Sequence, residues 1–311
     1  MTSPGIDVVS TEPSLLGECP LWVGDEQVLY WEDIDGCAIN RYDPSSGEVT
    51  SCALPARPGS FVLTSQPGVF LVATEHEVVW LDWSMGHIVP WLALENEGAG
   101  IRMNDGRTDS AGRFWVGSMF EDTGADKRVG SLHRIDADGT ATVERTGIGV
   151  TNGIAFDPSR SRMYFADTPT MSVRTWTYDP ADGSRTEERE FFDYTTVDGK
   201  PDGACVDADG CYWSASVHGW AVTRVTPDGV VDRRIDLPVR KPSMPAFGGA
   251  NLDTLFVTSI AEGDDPPADP RRQGVAPGSL FAIDLSGDAV TGVLETPFAG
   301  TPPAMDATGG R

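Results

Sequence analysis

One local pattern occurs four times in this chain and restricts its fold more than any other feature. In each copy a polar residue stands 11 or 12 positions before an aromatic residue, and a turn signal lies between the two. The four pairs are Glu18 with Tyr30, Asn104 with Trp115, Asn152 with Tyr164, and Asp202 with Trp213. Repetition of this kind indicates similar supersecondary units that stack on one another to bury their apolar faces.

The segments around these pairs have the character of β-strands. Short runs of Val, Ile, Phe, Tyr and Trp alternate with clusters of Gly, Pro, Asp and Ser, and helical periodicity is nearly absent. Asp-Gly pairs suit tight hairpins because Gly tolerates positive φ, and such pairs begin at Asp35, Asp138, Asp182, Asp209 and Asp228. We therefore predict an all-β protein.

The units follow one another at the interval of a propeller blade. Their starts are spaced roughly 40 to 50 residues apart, with about four strands in each unit. We place the six starts near Leu21, Ser60, Asn104, Asn152, Asp202 and Pro245. This periodicity predicts a six-bladed β-propeller with four antiparallel strands per blade, formed by residues 1–311 as one domain. A β-sandwich, the alternative, would not need such a period.

Two further expectations concern the ends of the chain and its loops. Residues 6–9 are expected to complete the last blade and so close the ring, whereas the Pro- and Gly-rich sequence from about 299 is expected to fray. Residues 121–129 and 262–278 interrupt the strand pattern and are interpreted as loops inserted on the blades. Loops inserted on one rim commonly form a site or a lid.

The polar residues of the four repeats are candidates for a functional site. The first strand of each blade lines the central channel, so equivalent strand starts bring Glu18, Asn104, Asn152 and Asp202 to one end of it. Taken singly, each has an ordinary explanation as a turn residue or a solvated acid. Together, two carboxylates and two amides at close quarters need a cation. Hard oxygen ligands favour Ca²⁺, Mg²⁺ or Mn²⁺.

Charge and cysteine content disfavour several classes of partner. The formal net charge of −24 makes nucleic acid and anionic membrane surfaces poor partners, because both attract clustered Lys and Arg. The five cysteines form no C-x-x-C motif, so we interpret them as small core residues in a reducing compartment. Two disulfide pairings stay open, Cys37 with Cys52 and Cys205 with Cys211. The N-terminal sequence lacks the features of a signal peptide, and we expect a cytoplasmic protein.

The same segments resemble a known family. The sequence L-G-E-C-P-L-W at 16–22 resembles the opening L-G-E-G-P-x-W of the senescence-marker-protein/gluconolactonase/regucalcin-like family. Residues 102–119 resemble its R-x-N-D-G-x-x-D-x-x-G-R-x-W-x-G-T-M signature, and T-N-G-I-A-F at 151–156 and P-D-G at 201–203 are similar to later motifs. Cys19 stands where Gly is usual. The resemblance covers nearly the whole chain and implies a six-bladed propeller with one catalytic divalent metal.

Carried over position by position, the resemblance implies roles for individual residues. The metal ligands would be Glu18, Asn152 and Asp202, and the substrate contacts would be Arg102, Asn104 and Glu121, the last of these in a variable loop. Calcium is the first choice of metal, with Mg²⁺, Mn²⁺, Zn²⁺ and Fe²⁺ as alternatives.

The four histidines show no spacing that suits a metal site. We interpret His76, His87 and His133 as surface residues of strands or loops. His218 follows the Trp213 strand in a Gly-containing loop, and whether it reaches the pocket rim stays open.

The function implied by the resemblance is hydrolysis of a sugar lactone to its aldonic acid. A divalent metal would polarise the lactone carbonyl, and Asp202 would act as general base toward the attacking water. The expected partner is a small sugar lactone, and the expected state is a monomer or a small homo-oligomer. Two alternatives remain: hydrolysis of another ester or a phosphotriester on the same scaffold, and a non-enzymatic, regucalcin-like calcium-binding protein.

Overall fold

The structure is a computed structural model that describes residues 5–10, 12–94, 100–261, 270–272 and 274–305. Within these residues the β-strands form six antiparallel sheets of four strands each. This arrangement confirms the predicted six-bladed β-propeller. In the described ranges we find no helix with the length and apolar character needed to span a membrane.

The strands follow the chain blade by blade. The N-terminal strand β1 (Ile6–Val8) precedes the first blade. Blade 1 contains β2 (Gly17–Val23), β3 (Val28–Asp33), β4 (Ala38–Asp43) and β5 (Glu48–Ala53). Blade 2 contains β6 (Pro58–Leu63), β7 (Val69–Thr74), β8 (Glu77–Asp82) and β9 (His87–Ala93). Blade 3 contains β10 (Ile101–Thr108), β11 (Phe114–Phe120), β12 (Gly130–Ile135) and β13 (Ala141–Ile148).

The second half of the chain repeats this arrangement. Blade 4 contains β14 (Thr151–Asp157), β15 (Arg162–Asp167), β16 (Ser172–Tyr178) and β17 (Arg185–Asp193). Blade 5 contains β18 (Lys200–Val206), β19 (Tyr212–Val217), β20 (Ala221–Val225) and β21 (Val231–Asp236). Blade 6 begins with β22 (Pro242–Gly248), β23 (Thr254–Ser259) and β24 (Phe281–Asp284). Short 3₁₀ turns lie between strands at Thr123–Ala125, Thr168–Thr170, Tyr194–Thr196 and Pro270–Arg272, and a fifth follows β24 at Ser286–Asp288.

The ring closes where the two ends of the chain meet. Strand β1 pairs antiparallel with β24, with Ile6 opposite Ile283 and Val8 opposite Phe281. Blade 6 therefore takes its fourth strand from the N-terminus, which confirms the closure expected from residues 6–9. The predicted loop at 121–129 lies between β11 and β12. Of the other predicted insertion, residues 262–269 and 273 lie outside the described residues.

Two aspartates explain part of the repeat pattern by bracing the turn between the first and second strands of a blade. In blade 3, Oδ1 of Asp109 accepts the backbone N–H groups of Ala111 and Arg113, and Oδ2 accepts Nε1 of Trp115 at 3.0 Å. In blade 5, Oδ2 of Asp207 accepts Nε1 of Trp213 at 2.8 Å. Each tryptophan therefore lies a fixed distance after its braced turn, because the buried indole N–H needs this acceptor.

The hydrophobic core lies between neighbouring blades as well as within them. One cluster joins Tyr30 of blade 1 to Phe61 and Phe70 of blade 2, and all three are at most 2% exposed. Tyr30 and Phe70 pack with their ring centroids 4.8 Å apart. Burial of each such side chain stabilises the fold by about 1.5 to 3 kcal/mol. The blades are therefore packed on both faces, which holds their first strands in fixed positions around the channel.

Residues 291–299, which we call the strap, cross the end of the channel where the first strands finish. Gly292 bridges to Asp207 of blade 5, and Phe298 bridges to Thr64 of blade 2. Between these contacts Glu295 pairs with Arg107, a buried arginine of β10. Ala299 still donates its N–H to Gly112 at 2.9 Å. Fraying from about 299 stays a prediction, and residues 306–311 lie outside the described residues.

One expectation about surface residues was wrong. His133 is only 4% exposed, although we interpreted it as a surface residue. It lies opposite Val116 and Val143 within blade 3. Because both faces of a blade pack against other blades, side chains on either face of the sheet are buried. All five cysteines are free thiols, so neither of the two open disulfide pairings forms.

Candidate metal centre and active site

Five of the six predicted site residues lie at one end of the central channel, which we call the mouth. Because the first strands of all blades run in the same direction, their starts share this end. Each of the five side chains is 4% to 8% exposed. They lie near the starts of strands β2, β10, β14 and β18 and are Glu18, Arg102, Asn104, Asn152 and Asp202.

A β-bulge follows the predicted polar residue in β2, β10 and β14, and in β18 the bulge includes Asp202 itself. The pairing of β2 with β3 shifts after Glu18, and the corresponding shifts in blades 3 and 4 follow Asn104 and Asn152. The next residues, Cys19, Asp105 and Gly153, have φ of 48°, 54° and 61°. A bulge adds one residue and re-aims the side chain beside it. The bulges therefore turn these polar groups toward the channel, which explains why a family member would carry Gly at position 19.

Hydrogen bonds join the mouth residues of blades 3 and 4. Nη1 of Arg102 donates to Oδ1 of Asn104 at 2.8 Å. Nδ2 of Asn104 donates to the backbone oxygen of Thr151 at 2.7 Å and to Oδ1 of Asn152 at 3.2 Å. Nδ2 of Asn152 donates to Oγ1 of Thr168 at 2.8 Å. Because its nitrogen is engaged, the amide of Asn152 is held in one orientation and presents its oxygen at the mouth.

The two predicted carboxylate ligands, Glu18 and Asp202, interact electrostatically across the channel. Burial raises the pKa of Glu18 well above its usual value, and the negative charges of Asp202 and Asp105 raise this pKa further. Burial also raises the pKa of Asp202, followed by the charge of Asp105. Within the protein alone, both carboxylates therefore resist ionisation because too little positive charge faces them.

Two buried acids beside these ligands were missed as site residues. Both carboxylate oxygens of Glu32 and Oδ1 of Asp105 lack a hydrogen-bond partner among the described residues. Burial raises the pKa of Glu32 to about 8 and that of Asp105 to about 6. Glu32 lies opposite Glu18 in the β2–β3 ladder. An acid within the otherwise apolar run of β3 was the available signal for Glu32, and the N-D-G sequence was the signal for Asp105.

The chemistry of this group of residues fits a hard divalent cation. Four buried acids and two buried arginines of the channel interact electrostatically. The acids, whose charges add to the effect of burial in raising the pKa of one another, are Glu18, Glu32, Asp105 and Asp202. The arginines, which lower these pKa values, are Arg102 and Arg107. A cation of charge +2 would balance the excess and favour the ionised ligands. The described chain holds no cluster of three or more His, Cys, Asp or Glu placed to bind a metal. The predicted donor set, Glu18, Asn152 and Asp202, combines two carboxylates with one amide oxygen, a combination that would suit Ca²⁺ or Mg²⁺.

Glu121, the sixth predicted residue, is separate from this buried group. It lies just after β11, in a loop between the second and third strands of blade 3, and its side chain is 42% exposed. Loops of this type open at the mouth and form what we call the rim. Oε1 of Glu121 accepts a hydrogen bond from Nη2 of Arg57 at 2.7 Å. Sequence reasoning did not identify Arg57. His218 also lies in a rim loop and is exposed.

Comparison with curated proteins identifies several lactonases as relatives. The chain is 41% identical over 295 residues to the 6-deoxy-6-sulfogluconolactonase of Pseudomonas putida, an alignment that covers 94% of this chain and 98% of that protein. It is 34% identical to the pentonolactonase XacC of Haloferax volcanii, covering 87% and 91% of the two chains. It is also 34% identical to the L-arabinolactonase of Azospirillum brasilense, covering 92% and 93%.

Solved structures with the same fold extend over nearly the whole chain. A luciferin-regenerating enzyme superposes with a TM-score of 0.88 at 27% identity and covers 96% of this chain and 100% of its own. A calcium-binding protein, regucalcin, from Agrobacterium tumefaciens superposes with a TM-score of 0.86 at 28% identity, covering 95% and 98%. Residues 16–261 match the family described as SMP-30/Gluconolactonase/LRE-like region. The chain therefore belongs to the SMP-30/gluconolactonase/LRE-like family, as its motifs indicated.

Proposed function

We propose that this protein hydrolyses a sugar lactone of the aldonolactone type to its aldonic acid, with one divalent metal ion at the mouth. The observation that carries the proposal is the burial of three oxygen-bearing side chains near the first-strand starts of blades 1, 4 and 5, at the same end of the channel. These side chains are Glu18, Asn152 and Asp202. Relatives named as lactonases at 34% to 41% identity support the class of reaction, hydrolysis of a carboxylic ester.

Glu18, Asn152 and Asp202 would hold the metal ion through oxygen. When bound there, a divalent cation supplies Lewis-acid polarisation of a lactone carbonyl. Calcium is our first choice because the donor set is all oxygen and lacks the nitrogen and sulfur ligands that zinc prefers. The similarity to a solved protein described as calcium-binding supports the same choice.

The residues of the chain divide the remaining work. Arg102 and Asn104 border the donor group. Arg102 would donate hydrogen bonds to oxygens of the sugar ring, and the side-chain oxygen of Asn104 would accept a hydrogen bond from a ring hydroxyl. A carboxylate oxygen of Asp202 would accept a proton from the water molecule that attacks the carbonyl carbon. The ring C–O bond then breaks, and this proton passes to the departing ring oxygen, so that the product is the open-chain hydroxy acid.

A lactone panel with controlled metal content tests this proposal. The protein is stripped with a chelator, and acid release from aldonolactones is followed after adding back Ca²⁺, Mg²⁺, Mn²⁺, Zn²⁺ or Fe²⁺. Binding of each ion is measured separately by calorimetry, so that affinity and activity are independent readouts. We expect loss of activity on stripping and recovery with at least one ion. Lactone turnover that survives complete removal of metal would contradict the metal requirement.

The same assay separates the alternatives. Turnover of an organophosphate triester without turnover of aldonolactones would favour a different esterase chemistry. The substitution Asp202→Asn keeps an oxygen ligand but removes the base. At saturating metal we expect it to lower kcat by at least about 100-fold. If no lactone is hydrolysed by the unaltered protein while Ca²⁺ binds tightly, the non-enzymatic calcium-binding alternative is supported instead.

A further inference from the structure

Arg57 gathers acidic side chains from three blades at the rim. Its Nε donates to Oε1 of Glu75 at 2.5 Å, and its Nη2 donates to Oε1 of Glu121 at 2.7 Å. Its Nη1 lies 3.8 Å from Oδ1 of Asp35. The three acids lie in loops that join the second and third strands of blades 1, 2 and 3. Arg57 itself lies in the connection from β5 to β6, which is at the same end of the ring as the three loops.

This cluster adjoins the buried site. Burial is the main cause that lowers the pKa of Arg102, and the nearby positive charge of Arg57 lowers it further. Asp35 and Glu18 act on the Arg102 pKa in the opposite direction. The rim cluster and the donor group at the mouth are therefore neighbours, with Arg102 between them.

The contacts of Arg57 contribute more to position than to stability. Its side chain is 26% exposed, and those of Glu75 and Glu121 are 27% and 42% exposed. Ion pairs at such exposure are worth about 0 to 1 kcal/mol each. The backbone of Glu121 is anchored by its own N–H, which donates to Gly100 at 2.8 Å. The side chain of Glu121 could still change its rotamer, and the hydrogen bond from Arg57 to one carboxylate oxygen restricts that motion.

We propose that Arg57 is a positioning residue that holds Glu121 at the rim so that the glutamate accepts hydrogen bonds from hydroxyl groups of the lactone, and that it thereby sets selectivity for polyhydroxylated rings. Oε2 of Glu121 receives no hydrogen bond within the described part of the chain, which leaves it available to a hydroxyl donor. One guanidinium faces three carboxylates, so the cluster keeps a negative charge that favours hydroxyl donors. This inference rests on the proposed function.

The test compares a hydroxylated lactone with an unsubstituted one. Kinetics are measured for glucono-δ-lactone and for δ-valerolactone with the unaltered protein and with Arg57→Ala, Arg57→Lys and Glu121→Ala. We expect Arg57→Ala to raise KM for the hydroxylated lactone about five- to tenfold, as loss of one hydrogen bond would, with kcat within about twofold. KM for δ-valerolactone should not change. Arg57→Lys should restore part of the loss.

Two comparisons distinguish positioning from a general structural role. Arg233→Ala removes an arginine of similar exposure, 23%, that pairs with Asp288 away from the mouth. This control should shift Tm as much as Arg57→Ala does but leave both KM values unchanged. The double variant Arg57→Ala with Glu121→Ala should have the KM of Glu121→Ala alone. Multiplicative effects, or equal changes for both lactones, would overturn the inference.

A binding measurement separates this inference from the proposed function. A sugar δ-lactam presents the same hydroxyl groups but resists hydrolysis, and its affinity is measured by calorimetry with metal present. If the unaltered protein binds the lactam and Arg57→Ala binds it about five- to tenfold more weakly, the inference holds even where no lactone is turned over. Equal affinity of the two proteins for the lactam would contradict it, whatever the kinetics show.

Discussion

The side-chain nitrogen of Asn104 lies 3.2 Å from the side-chain oxygen of Asn152, and it also donates to the backbone oxygen of Thr151 at 2.7 Å. One amide of blade 3 thus orients both the side chain and the backbone of the residue pair that begins blade 4. Since the proposed metal ligand is the oxygen of Asn152, Asn104 would support the proposed metal site from outside its ligand set. Groups that orient a ligand in this way commonly affect metal affinity strongly.

The substitution Asn104→Ala should therefore weaken metal binding as well as substrate binding. We expect a loss of about 10- to 100-fold in affinity for Ca²⁺, because Asn152 loses the donor that holds its amide. Calorimetric titration of the chelator-stripped protein measures this directly. Asn251→Ala, at an exposed asparagine of the β22–β23 turn, serves as the control. A rise in KM with unchanged metal affinity would restrict Asn104 to contact with substrate.

Buried His133 predicts a pH dependence of stability that is independent of the metal site. Burial lowers the pKa of His133 below its usual value, so the folded protein prefers the neutral ring. The associated stability is present above the unfolded pKa near 6.5 and is lost as pH falls toward the folded pKa. Relative to His133→Gln, the unaltered protein should lose up to about 1.4 kcal/mol per pH unit within that window.

Urea unfolding at pH 8, 6.5 and 5 measures this difference. The matched control is His76→Gln, because His76 is exposed in the loop between β7 and β8. His76→Gln should leave the pH profile of the unaltered protein in place. If His133→Gln and the unaltered protein lose stability in parallel between pH 8 and pH 5, the buried imidazole is not the group responsible.

The ion pair between the strap and Arg107 predicts a loss of folding stability when one of its partners is replaced. Glu295 is the acidic partner of Arg107, whose side chain is 7% exposed. Removing one partner of a buried ion pair leaves an uncompensated charge and costs about 3 to 5 kcal/mol. Glu295 is itself 22% exposed, so water screens part of the charge, and we expect Glu295→Gln to cost about 2 to 3 kcal/mol, below the range for a fully buried pair. Chemical denaturation with the metal-loaded protein measures the loss.

A double substitution checks the origin of this cost. Replacing Arg107 as well, in Arg107→Met with Glu295→Gln, removes the uncompensated charge, and an apolar replacement of a buried pair is often neutral. Two carbonyl groups that Arg107 contacts, those of Ile154 and Ala204, lose their donors. We still expect the double variant to lose less free energy of unfolding than the sum of the losses measured for Arg107→Met and Glu295→Gln separately. Simple additivity would show that the two residues do not act as a pair.

The blades and the group of residues at the mouth could be predicted because both follow from the spacing of residue types along the sequence. Asn152 and Asp202 stand at nearly the same distance before Tyr164 and Trp213. Because each lies at an equivalent bulge near a strand start, their side chains take similar directions. The closing strand could be predicted for a similar reason, because a lone apolar segment before the first blade must pair with the last.

The rim could not be predicted in this way. Arg57 meets Asp35, Glu75 and Glu121 through loops that are distant in sequence and have no common phase. His133 was misplaced because alternation in a strand separates core from solvent only when one face is exposed, and these blades are buried on both faces. Glu32 was not identified as a site residue because acids are rarely buried in a strand, and nothing in its spacing distinguishes it from an exposed acid.

Gly153 follows the proposed metal ligand Asn152 in a left-handed backbone conformation, and its substitution tests whether this backbone geometry supports the proposed metal site. Its φ is +61°, and a Cβ added there would lie 2.3 Å from the hydroxyl of Tyr212 and 3.3 Å from the backbone oxygen of Asp202. The substitution Gly153→Ala therefore combines a left-handed backbone, which costs about 1 to 2 kcal/mol, with a clash beside two proposed ligands. We expect a total loss of about 2 to 4 kcal/mol in stability and weaker Ca²⁺ binding.

Gly47→Ala isolates the backbone contribution. Gly47 has φ of +74° in a turn with open space around it, so alanine there should cost about 1 to 2 kcal/mol and leave Ca²⁺ affinity unchanged. Adding Tyr212→Phe to Gly153→Ala removes the hydroxyl that the new methyl group meets, although it also removes the 3.0 Å hydrogen bond to the oxygen of Gly153. Recovery of Ca²⁺ affinity in this double variant would show that displacement of Asn152 and Asp202, and not lost stability, weakens the site. Ca²⁺ affinity that stays normal in Gly153→Ala would mean that the donor set is not coupled to this bulge.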